Sequence, residues 1–266
     1  MPRLKREYDL LLLTAALLVA AAGIFGWRVW SIAHKRVRPD AWTDVQARGR
    51  LLVGTDPTFM PFSGYEGDYT GLEPEIMREV ARRLGVEIQF FAHGGDGLYE
   101  ALDVGQVDVL AGQMVIDPQR MGLYRYSMPY YDAGQVLVVP AGTDAVDLAS
   151  FSDRRVAVEL GSEGDGVARR AQAADQLTLV HTDAPSAALD AVAAGAADAA
   201  IVDRLSAQEV LRERSGFAIL PTPVTSEPYA LVTRFSSPEL ARRLQEALRA
   251  MQADGTLETL YRKWLP

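Results

Sequence analysis

Cysteine is absent from this 266-residue chain. The chain therefore has no disulfide framework, no thiol nucleophile, no cysteine-based metal site and no cysteine to carry a lipid. Histidine occurs only three times, and His93 and His181 stand in unrelated segments, so no spaced triad or metal cluster is indicated. A phosphate-binding loop is also missing. The sequence predicts neither a metal nor a cofactor, and it favours binding over catalysis.

Positive charge is scarce beyond the N-terminal segment. Residues 1–41 hold seven Lys or Arg against three Asp or Glu, whereas the rest of the chain holds 20 against 32. The rest therefore has a net charge of −12, and such a surface repels the phosphates of nucleic acid. We predict no nucleic-acid partner. The length allows two modest lobes, each with a core of its own.

Long apolar runs are missing too, except near the N-terminus. Residues 10–27 are almost wholly apolar, and as a helix they would span roughly 27 Å, just enough to cross a bilayer. A removable signal peptide is the alternative, because Ala20–Ala22 offers the small residues that a signal peptidase needs. The run continues past that site through Phe25, which favours a retained membrane anchor, with a basic linker up to residue 41. Basic residues flank the run on both sides, so the positive-inside rule does not predict which end of the helix would lie in the cytoplasm.

Beyond residue 41, strand-like and helix-like segments alternate. Short apolar runs predict strands over Leu51–Thr55, Val86–Phe91, Val107–Ala111, Gln135–Val139, Arg155–Leu160, Leu177–Val180, Ala199–Val202, Phe217–Leu220 and Tyr229–Thr233. Amphipathic segments predict helices over Glu73–Leu84, Leu98–Val104, Gly164–Ala173, Ser186–Ala194, Ser206–Arg214, Pro238–Ala253 and Leu257–Leu265. This alternation is typical of βαβ units and mainly parallel sheets. Gly85 and Gly195 fall just past predicted helix ends, where a left-handed cap is favoured.

Two loops at predicted strand ends carry the residues most suited to a ligand. The segment Gly54–Phe62 follows the apolar run Leu51–Val53 and contains a carboxylate, two prolines and two aromatic rings. The segment Ile116–Arg120 follows another predicted strand and offers a guanidinium, which holds a carboxylate by two parallel hydrogen bonds. Open α/β sheets bind ligands at the carboxyl ends of their strands. The two loops therefore predict a pocket for a small, polar, zwitterionic molecule.

The two loops belong to a longer series of motifs along the chain. They are Val53–Phe62, Gly71–Glu73, Leu98–Leu102, Gly105–Asp108, Asp117–Arg120, Tyr126–Tyr131, Val156–Ser162, Ala188–Asp203 and Gly255–Trp264. With these motifs in this order, the chain resembles the bacterial extracellular solute-binding proteins of the polar amino-acid type, family 3, which are the receptors that feed ABC importers. The resemblance covers almost everything after Arg50.

The resemblance implies an α/β, two-lobed periplasmic-binding-protein fold of type II, with two sheets joined by a two-strand hinge. The N-terminal transmembrane helix would precede it. Lobe 1 would comprise residues 42–131 and 230–266, and lobe 2 residues 136–226, with the ligand in the cleft between them. The resemblance also implies an amino acid or similar zwitterion as ligand, no cofactor, and an ABC permease in the membrane as partner. The lobes would then lie on the extracytoplasmic face.

The same likeness implies a set of ligand-binding positions. They are Asp56, Phe59, Gln113, Arg120, Gly161, Ser162 and Asp203. Arg120 would hold the α-carboxylate of the ligand and Asp203 its α-ammonium. Phe59 would lie against the side chain of the ligand, and Asp56 would contact its distal part.

Each of these positions also has a purely structural interpretation. Arg120 could be a solvated arginine in a surface turn, Phe59 a core residue, and Asp203 the N-cap of a helix. Asp56 could cap the turn that precedes Pro57.

Gly161 and Ser162 open a predicted helix. Its free N–H groups and positive dipole end could hold a carboxylate from lobe 2. Many such turns bind nothing, however. Glu159 and Glu163, beside them, would oppose an anion and could instead favour a cationic group on the ligand.

Three departures from the family pattern leave the ligand open. Val115 stands where the family usually offers a hydroxyl, and Asp117 stands where it often has threonine. The second aromatic residue of the usual sandwich is replaced within His93–Asp96, which would leave room for His93 or Asp96 to reach in. Two other functions also stay open: an amino-acid-sensing or assembly subunit, and an enzyme like the dehydratase that acts on cyclohexadienyl acids with a similar fold.

Overall fold

The computed structural model describes residues 40–95, 97–175 and 177–266. The predicted membrane segment, residues 10–27, lies outside these ranges, and so does Asp96. Within the three ranges, no helix is both long enough and apolar enough to cross a membrane.

The described chain alternates between helices and strands, as the sequence predicts. The helices are α1 (Ala41–Arg48), α2 (Leu72–Leu84), α3 (Gly97–Val104), α4 (Glu163–Asp175), α5 (Pro185–Ala193), α6 (Arg204–Glu213), α7 (Pro238–Ala253) and α8 (Thr256–Trp264). The strands are β1 (Arg50–Thr55), β2 (Thr58–Phe59), β3 (Ser63–Tyr65), β4 (Tyr69–Thr70), β5 (Glu87–Ala92), β6 (Val109–Leu110), β7 (Tyr124–Tyr126), β8 (Tyr131–Asp132), β9 (Gln135–Pro140), β10 (Arg155–Glu159), β11 (Thr178–Thr182), β12 (Ala199–Asp203), β13 (Phe217–Ile219), β14 (Pro228–Tyr229) and β15 (Val232–Arg234). Single 3₁₀ turns occupy Pro118–Arg120 and Leu148–Phe151.

Two five-stranded sheets form the centres of two lobes, which confirms the predicted two-lobed α/β fold. The sheet of lobe 1 has the order β5-β1-β6-β15-β7, and the sheet of lobe 2 has the order β11-β10-β12-β9-β13. Strands β2, β3 and β4 form a small separate sheet. The residue numbers at which one lobe passes into the other stay a prediction.

The expectation of mainly parallel sheets is wrong for half of the strand pairs in the two five-stranded sheets. β1 pairs in parallel with β5 and β6, and β10 with β11 and β12. In contrast, β15 runs antiparallel to both of its neighbours, and so does β9. Both strands enter their sheets directly from the connection between the lobes, without the crossover helix that a parallel pairing requires.

Helix α2 shows how the sequence builds the core of lobe 1. Its buried residues Ile76, Met77 and Val80 recur at the spacing of one helix face, so the helix presents an apolar stripe to the sheet. The helix ends at Gly85, which adopts the left-handed conformation with φ 70°. The cap predicted at this glycine is confirmed.

The sheet of lobe 2 is covered on both faces. Val136 and Val138 belong to one apolar cluster, whereas Leu137 and Val139, the alternating residues of the same strand, belong to another. Because successive side chains of a strand point to opposite faces, a continuous apolar run such as β9 indicates a sheet with helices on both sides.

Asp40 joins the start of the described chain to lobe 1. Its Oδ1 accepts the N–H of Trp42 at 2.9 Å and so caps α1, while its Oδ2 accepts the N–H of Glu239 at 2.6 Å in the first turn of α7. One carboxylate thus satisfies free N–H groups at the start of two helices, and one of the donors, Leu240, is 200 residues from Asp40. Both helices pack in the core of lobe 1.

The two connections between the lobes pair with each other. β8 and β14 run antiparallel, with Tyr131 opposite Tyr229 and Asp132 opposite Pro228. The sequence predicts a single strand over Tyr229–Thr233, but the structure divides this segment between the hinge strand β14 and strand β15 of lobe 1. We call β8 and β14, together with residues 133–134 and 226–227, the hinge.

Asp132 holds the two halves of the hinge together. Its carboxylate accepts hydrogen bonds from the N–H of Gly134 at 3.1 Å, the N–H of Glu227 at 2.7 Å and the hydroxyl of Ser226 at 2.8 Å. Partial burial raises the pKa of Asp132, but these bonds outweigh it and hold the pKa below its ordinary value. The ionised form is therefore the one that fits the hinge.

The substitution Asp132→Ala is expected to lower the free energy of unfolding by about 2–4 kcal/mol, because it leaves two backbone N–H groups without an acceptor. Urea unfolding followed by circular dichroism measures this loss. Ser226→Ala removes only the hydroxyl and is the control, with an expected loss of about 1 kcal/mol. Equal losses in the two variants would contradict the assigned role of Asp132.

Candidate ligand-binding site

A cavity of about 560 Å³ lies in the cleft between the lobes and against the hinge. Five of the predicted ligand-binding residues line it. They are Asp56, Phe59, Gln113, Arg120 and Asp203. Lobe 1 supplies the first four and lobe 2 supplies Asp203, so the fold brings together side chains that are up to 147 residues apart in the sequence.

Arg120 is positioned by a short turn and a ring. Asp117 accepts the N–H of Gln119 at 2.8 Å and so begins the 3₁₀ turn Pro118–Arg120. The Arg120 guanidinium lies over the ring of Tyr99, 4.4 Å from its centroid, and its Nε is 3.3 Å from Asp117 Oδ2. The side chain is 43% exposed, which leaves much of the guanidinium available to a ligand. Asp117 thus caps the turn that carries the guanidinium.

Asp56 caps a turn and also lines the cavity. It accepts the N–H of Thr58 at 3.2 Å and the Thr58 hydroxyl at 2.7 Å, so it does cap the turn that contains Pro57. Its other oxygen accepts the N–H of Gly95 at 3.3 Å. The residue is only 8% exposed, and its remaining surface faces the cavity. Phe59 is 58% exposed and lines the cavity, so the interpretation of Phe59 as a core residue is wrong.

Asp203 ends strand β12 and caps helix α6. Its Oδ1 accepts the N–H of Ser206 at 2.9 Å, which confirms the predicted N-cap. The second carboxylate oxygen has no such role, and the residue lines the cavity from lobe 2. The two interpretations of Asp203 are therefore compatible in the structure.

Gly161 and Ser162 are not among the residues that line the cavity. The N–H of Gly161, which the sequence suggests is free for a ligand, instead donates to Asp165 Oδ2 at 3.0 Å. The hydroxyl of Ser162 accepts the N–H of Asp165 at 3.1 Å and donates to the carbonyl of Glu159 at 2.8 Å. The start of α4 is therefore capped by protein groups, and a role of these two residues in ligand binding stays a prediction.

The cavity also contains residues that sequence reasoning did not find. Tyr99, Tyr131 and Tyr229 line it, and the last two belong to the hinge and pack edge-on against Phe62, with centroid distances of 5.0 and 5.4 Å. Tyr99 and Tyr131 belong to sequence motifs that do not by themselves indicate a ligand contact, and only the pairing of β8 with β14 brings Tyr131 and Tyr229 together at the cleft. Gly95 lines the cavity as well, whereas His93 is not among its lining residues.

Negative charge dominates the cavity. Its lining includes the carboxylates of Asp56, Glu163, Asp203 and Glu227, and, within the described ranges, the single guanidinium of Arg120. Burial raises the pKa of Glu227 to about 7, and the neighbouring Glu163 carboxyl adds to the shift. Oε1 of Glu227 is buried and has no hydrogen-bond partner among the described residues. Glu227 therefore titrates near neutral pH, and its ionised form offers an acceptor atom to a cation.

A metal site is a poor explanation for these acids. Among the described residues, no group of three or more His, Asp or Glu side chains is arranged to hold a metal ion. The acids are also spread over both lobes and the hinge, with an arginine among them.

Beneath the cavity wall lies a fully buried carboxyl. Glu73 is 1% exposed, and it accepts hydrogen bonds from the N–H of Gln113 at 2.7 Å, from the Gln113 amide and from the Tyr130 hydroxyl. Burial raises the pKa of Glu73 to about 7, although these bonds oppose the shift.

The fold and the cavity define a two-lobed binding protein that receives a small polar molecule in a hinged cleft. The family of bacterial extracellular solute-binding proteins, family 3, matches residues 51–266, and the chain belongs to that family. The predicted family and the predicted extracytoplasmic location are thereby confirmed.

Similar proteins agree with this assignment. The L-cystine-binding protein TcyJ of Escherichia coli K12 is 31% identical over 252 residues, which cover 92% of each chain. The crystal structure of the L-cystine solute receptor of Neisseria gonorrhoeae, unliganded and open, has a TM-score of 0.74 and 27% identity, and the match covers 84% of this chain and 95% of that one. An ancestral cationic amino acid solute-binding protein has a TM-score of 0.63 and 29% identity, with 85% of this chain and all of that chain covered.

The buried carboxyl of Glu73 predicts how stability depends on pH. Its pKa is 4.5 in the unfolded chain and about 7 in the folded one, so the folded state binds the proton more tightly. The stabilisation from this proton is fully present below about pH 4.5 and is lost as the pH rises through about 7. Glu73→Gln should therefore raise the free energy of unfolding relative to wild type at pH 8, on the order of 2–3 kcal/mol, and the gain should shrink towards pH 5.

Urea titrations of the ligand-free protein at several pH values measure this difference. Glu87→Gln, which removes an exposed carboxylate paired with Arg50, is the control and should not give the gain at pH 8 that is expected for Glu73→Gln. A Glu73→Gln difference that is constant from pH 5 to 8 would refute the assignment.

Proposed function

We propose that this protein captures an amino acid outside the cytoplasm and presents it to an ABC importer. The observation that carries the proposal is the placement of Arg120 and Asp203 on opposite lobes but around one cavity. An α-carboxylate held by Arg120 and an α-ammonium held by Asp203 would make the ligand itself the bridge between the lobes. The related L-cystine-binding and cationic-amino-acid-binding proteins support an amino acid as the ligand class.

Binding would act through closure of the hinge. A ligand shifts an open–closed equilibrium only by binding the closed form more tightly. A zwitterion meets this condition here, because it would gain its contact with Asp203 only when lobe 2 lies against lobe 1. The closed form then offers a surface composed of both lobes to a permease.

We further propose that the ligand carries a second cationic group and no second carboxylate. Four carboxylates and one guanidinium line the cavity, and Asp203 alone would suffice for an α-ammonium. Glu163 and Glu227 are left to receive another cation, such as the guanidinium of arginine or the ammonium of lysine or ornithine. L-Cystine, which is the alternative that two relatives favour, would bring a second carboxylate together with its second ammonium into a cavity whose described lining has no second cation.

A ligand panel tests both the function and the ligand class. Residues 40–266 are purified, and the melting temperature is measured with L-arginine, L-lysine, L-ornithine, L-cystine, L-glutamine, L-glutamate, a polyamine and a sugar. A ligand that binds only the folded state raises the melting temperature by mass action. A shift with the cationic amino acids is expected. A shift with the sugar but with none of the amino acids would contradict the proposed function, and a shift with L-cystine alone would contradict the ligand class.

Removal of Arg120 should abolish most of the affinity. In Arg120→Ala the ligand carboxylate would be desolvated without a partner, at a cost of about 2–5 kcal/mol of binding free energy. Isothermal titration calorimetry with L-arginine measures it. Arg125→Ala is a matched control, because Arg125 also lies over a ring, that of Phe235, at 4.4 Å, but is not part of the cavity lining. Unchanged affinity in Arg120→Ala would show that the ligand binds elsewhere.

Binding of a cation at the glutamate pair should release a proton. The pKa of Glu227 is about 7 in the ligand-free protein, so below this pH the cation must displace a proton, and above it the carboxylate is free. The affinity for L-arginine should therefore increase by about three- to tenfold between pH 6 and pH 8. Glu227→Gln should weaken binding and remove most of this pH dependence, whereas the exposed variant Asp190→Asn should retain it. Equal pH dependence in wild type and Glu227→Gln would refute the role of the pair.

Attachment to the membrane is proposed separately, from the sequence alone. We propose that residues 10–27 are retained as an anchor, because the apolar run extends past the small-residue site at Ala20–Ala22. Membrane fractionation of the native bacterium and N-terminal sequencing of the mature protein test this. A full-length protein in the membrane fraction is expected, whereas a soluble protein beginning near Gly23 would identify the segment as a cleaved signal peptide.

A further inference from the structure

One wall of the cavity is formed by a residue in an unfavourable backbone conformation. Gln113 lines the cavity and has φ 53°, in the left-handed region. A residue with a side chain is strained there, and it persists in that region only where its surroundings hold it. Gln113 follows strand β6 and lies seven residues before Arg120, so its conformation also directs the chain towards the turn that carries the guanidinium.

The group that holds Gln113 is the buried carboxyl of Glu73. Both oxygens of Glu73 are used: Oε1 accepts the backbone N–H of Gln113 at 2.7 Å, and Oε2 accepts the side-chain amide of the same residue. A carboxylate that accepts hydrogen bonds from both the backbone N–H and the side-chain amide of one residue fixes the backbone and the side chain together. Oε1 also accepts the hydroxyl of Tyr130, which keeps the carboxyl itself in place.

The burial of Glu73 costs free energy, because a carboxylate loses its hydration there. It is 1% exposed, and within the described ranges no Lys, Arg or His bonds to it. The titratable groups that act on it are Tyr130, Asp56 and Tyr229, and none of them is a cation. A buried carboxyl without a cation adds little or nothing to stability. The contacts of Glu73 with the cavity wall therefore offer a reason for its presence that stability does not.

We infer that Glu73 is a positioning residue of the ligand site, which holds Gln113 in its left-handed conformation and thereby sets the shape of the cavity wall. The inference rests on the proposed function of the cavity. Glu73 itself does not line the cavity, so it acts on the ligand only through Gln113.

A double-mutant cycle tests the inference. In Glu73→Ala, Gln113 is free to leave the left-handed region, and the affinity of the cavity should fall by about tenfold. In the background Gln113→Gly, where this conformation has no steric cost, the same Glu73→Ala change should alter the affinity by about twofold or less. Affinities for L-arginine and L-cystine are measured by calorimetry. Glu73→Gln keeps an acceptor for the Gln113 N–H and should bind within about twofold of wild type.

Amide exchange of Gln113 provides a measurement that needs no ligand. The Gln113 N–H is bonded to Glu73, so its exchange should be much faster in Glu73→Ala and close to wild type in Glu73→Gln. If Glu73→Ala does not fold, Glu73→Asp, whose shorter side chain withdraws from Gln113, replaces it in both experiments. Wild-type protein that binds neither probe would contradict the proposed function, while slow Gln113 exchange that depends on Glu73 would still support the contact.

Asp108→Asn is the matched control for a buried acid. Asp108 is 3% exposed and bonds to Arg48 and to the N–H of Leu52 at 2.9 Å, at the far end of β1 from the cavity. It should lower the melting temperature and leave the affinity unchanged. If Glu73→Ala behaves like Asp108→Asn, with a lower melting temperature and unchanged affinity, or if it loses the same affinity in the Gln113→Gly background, the inference is overturned.

Discussion

The antiparallel pairing of β8 with β14 is the interaction on which the rest of the molecule depends. Both connections between the lobes run through it, and the carboxylate of Asp132 ties them together. Because the two strands pair, the closure proposed above would be a rotation of whole lobes about one hinge. The same strands place Tyr131 and Tyr229 in the cavity wall. The hinge therefore also forms part of the cavity, and a ligand bound there would contact it directly.

Electrostatics gives the cavity its chemical preference. The overall negative charge of the chain says little about its pocket. Four carboxylates around one guanidinium, by contrast, give this cavity a local preference for positive charge. Two of these acids are held in a fixed orientation by the protein, because Asp56 and Asp203 each cap a neighbouring segment with one carboxylate oxygen. Glu163 and Glu227 have no such capping role, and the Glu163 carboxyl adds to the burial that raises the pKa of Glu227 to about 7. Under the proposed function, the capped acids would orient the ligand and the uncapped pair would select its charge.

Local sequence patterns predicted the elements that depend on local physics. Helix α7 has the predicted bounds, and most of the predicted strands begin and end within two residues of the observed ones. The reason is that apolar periodicity reports directly on burial. Helix α1, the small sheet of β2, β3 and β4, and the strands β7 and β8 were not predicted, because segments of two to eight residues are too short for periodicity to identify. The direction of β9 and β15 depends on the order of the hinge connections, and the approach of Glu227 to Glu163 depends on the folded hinge. The resemblance named Arg120 and Asp203, but no local pattern marks Glu73 as the partner of Gln113.

The double cap at Asp40 has a mechanical consequence. Asp40 is hydrogen-bonded to both α1 and α7 of lobe 1, and none of these bonds involves lobe 2. The chain itself passes between the lobes through the hinge. A tensile load applied at residue 40 would thus be carried by the two helices of lobe 1 rather than by the hinge.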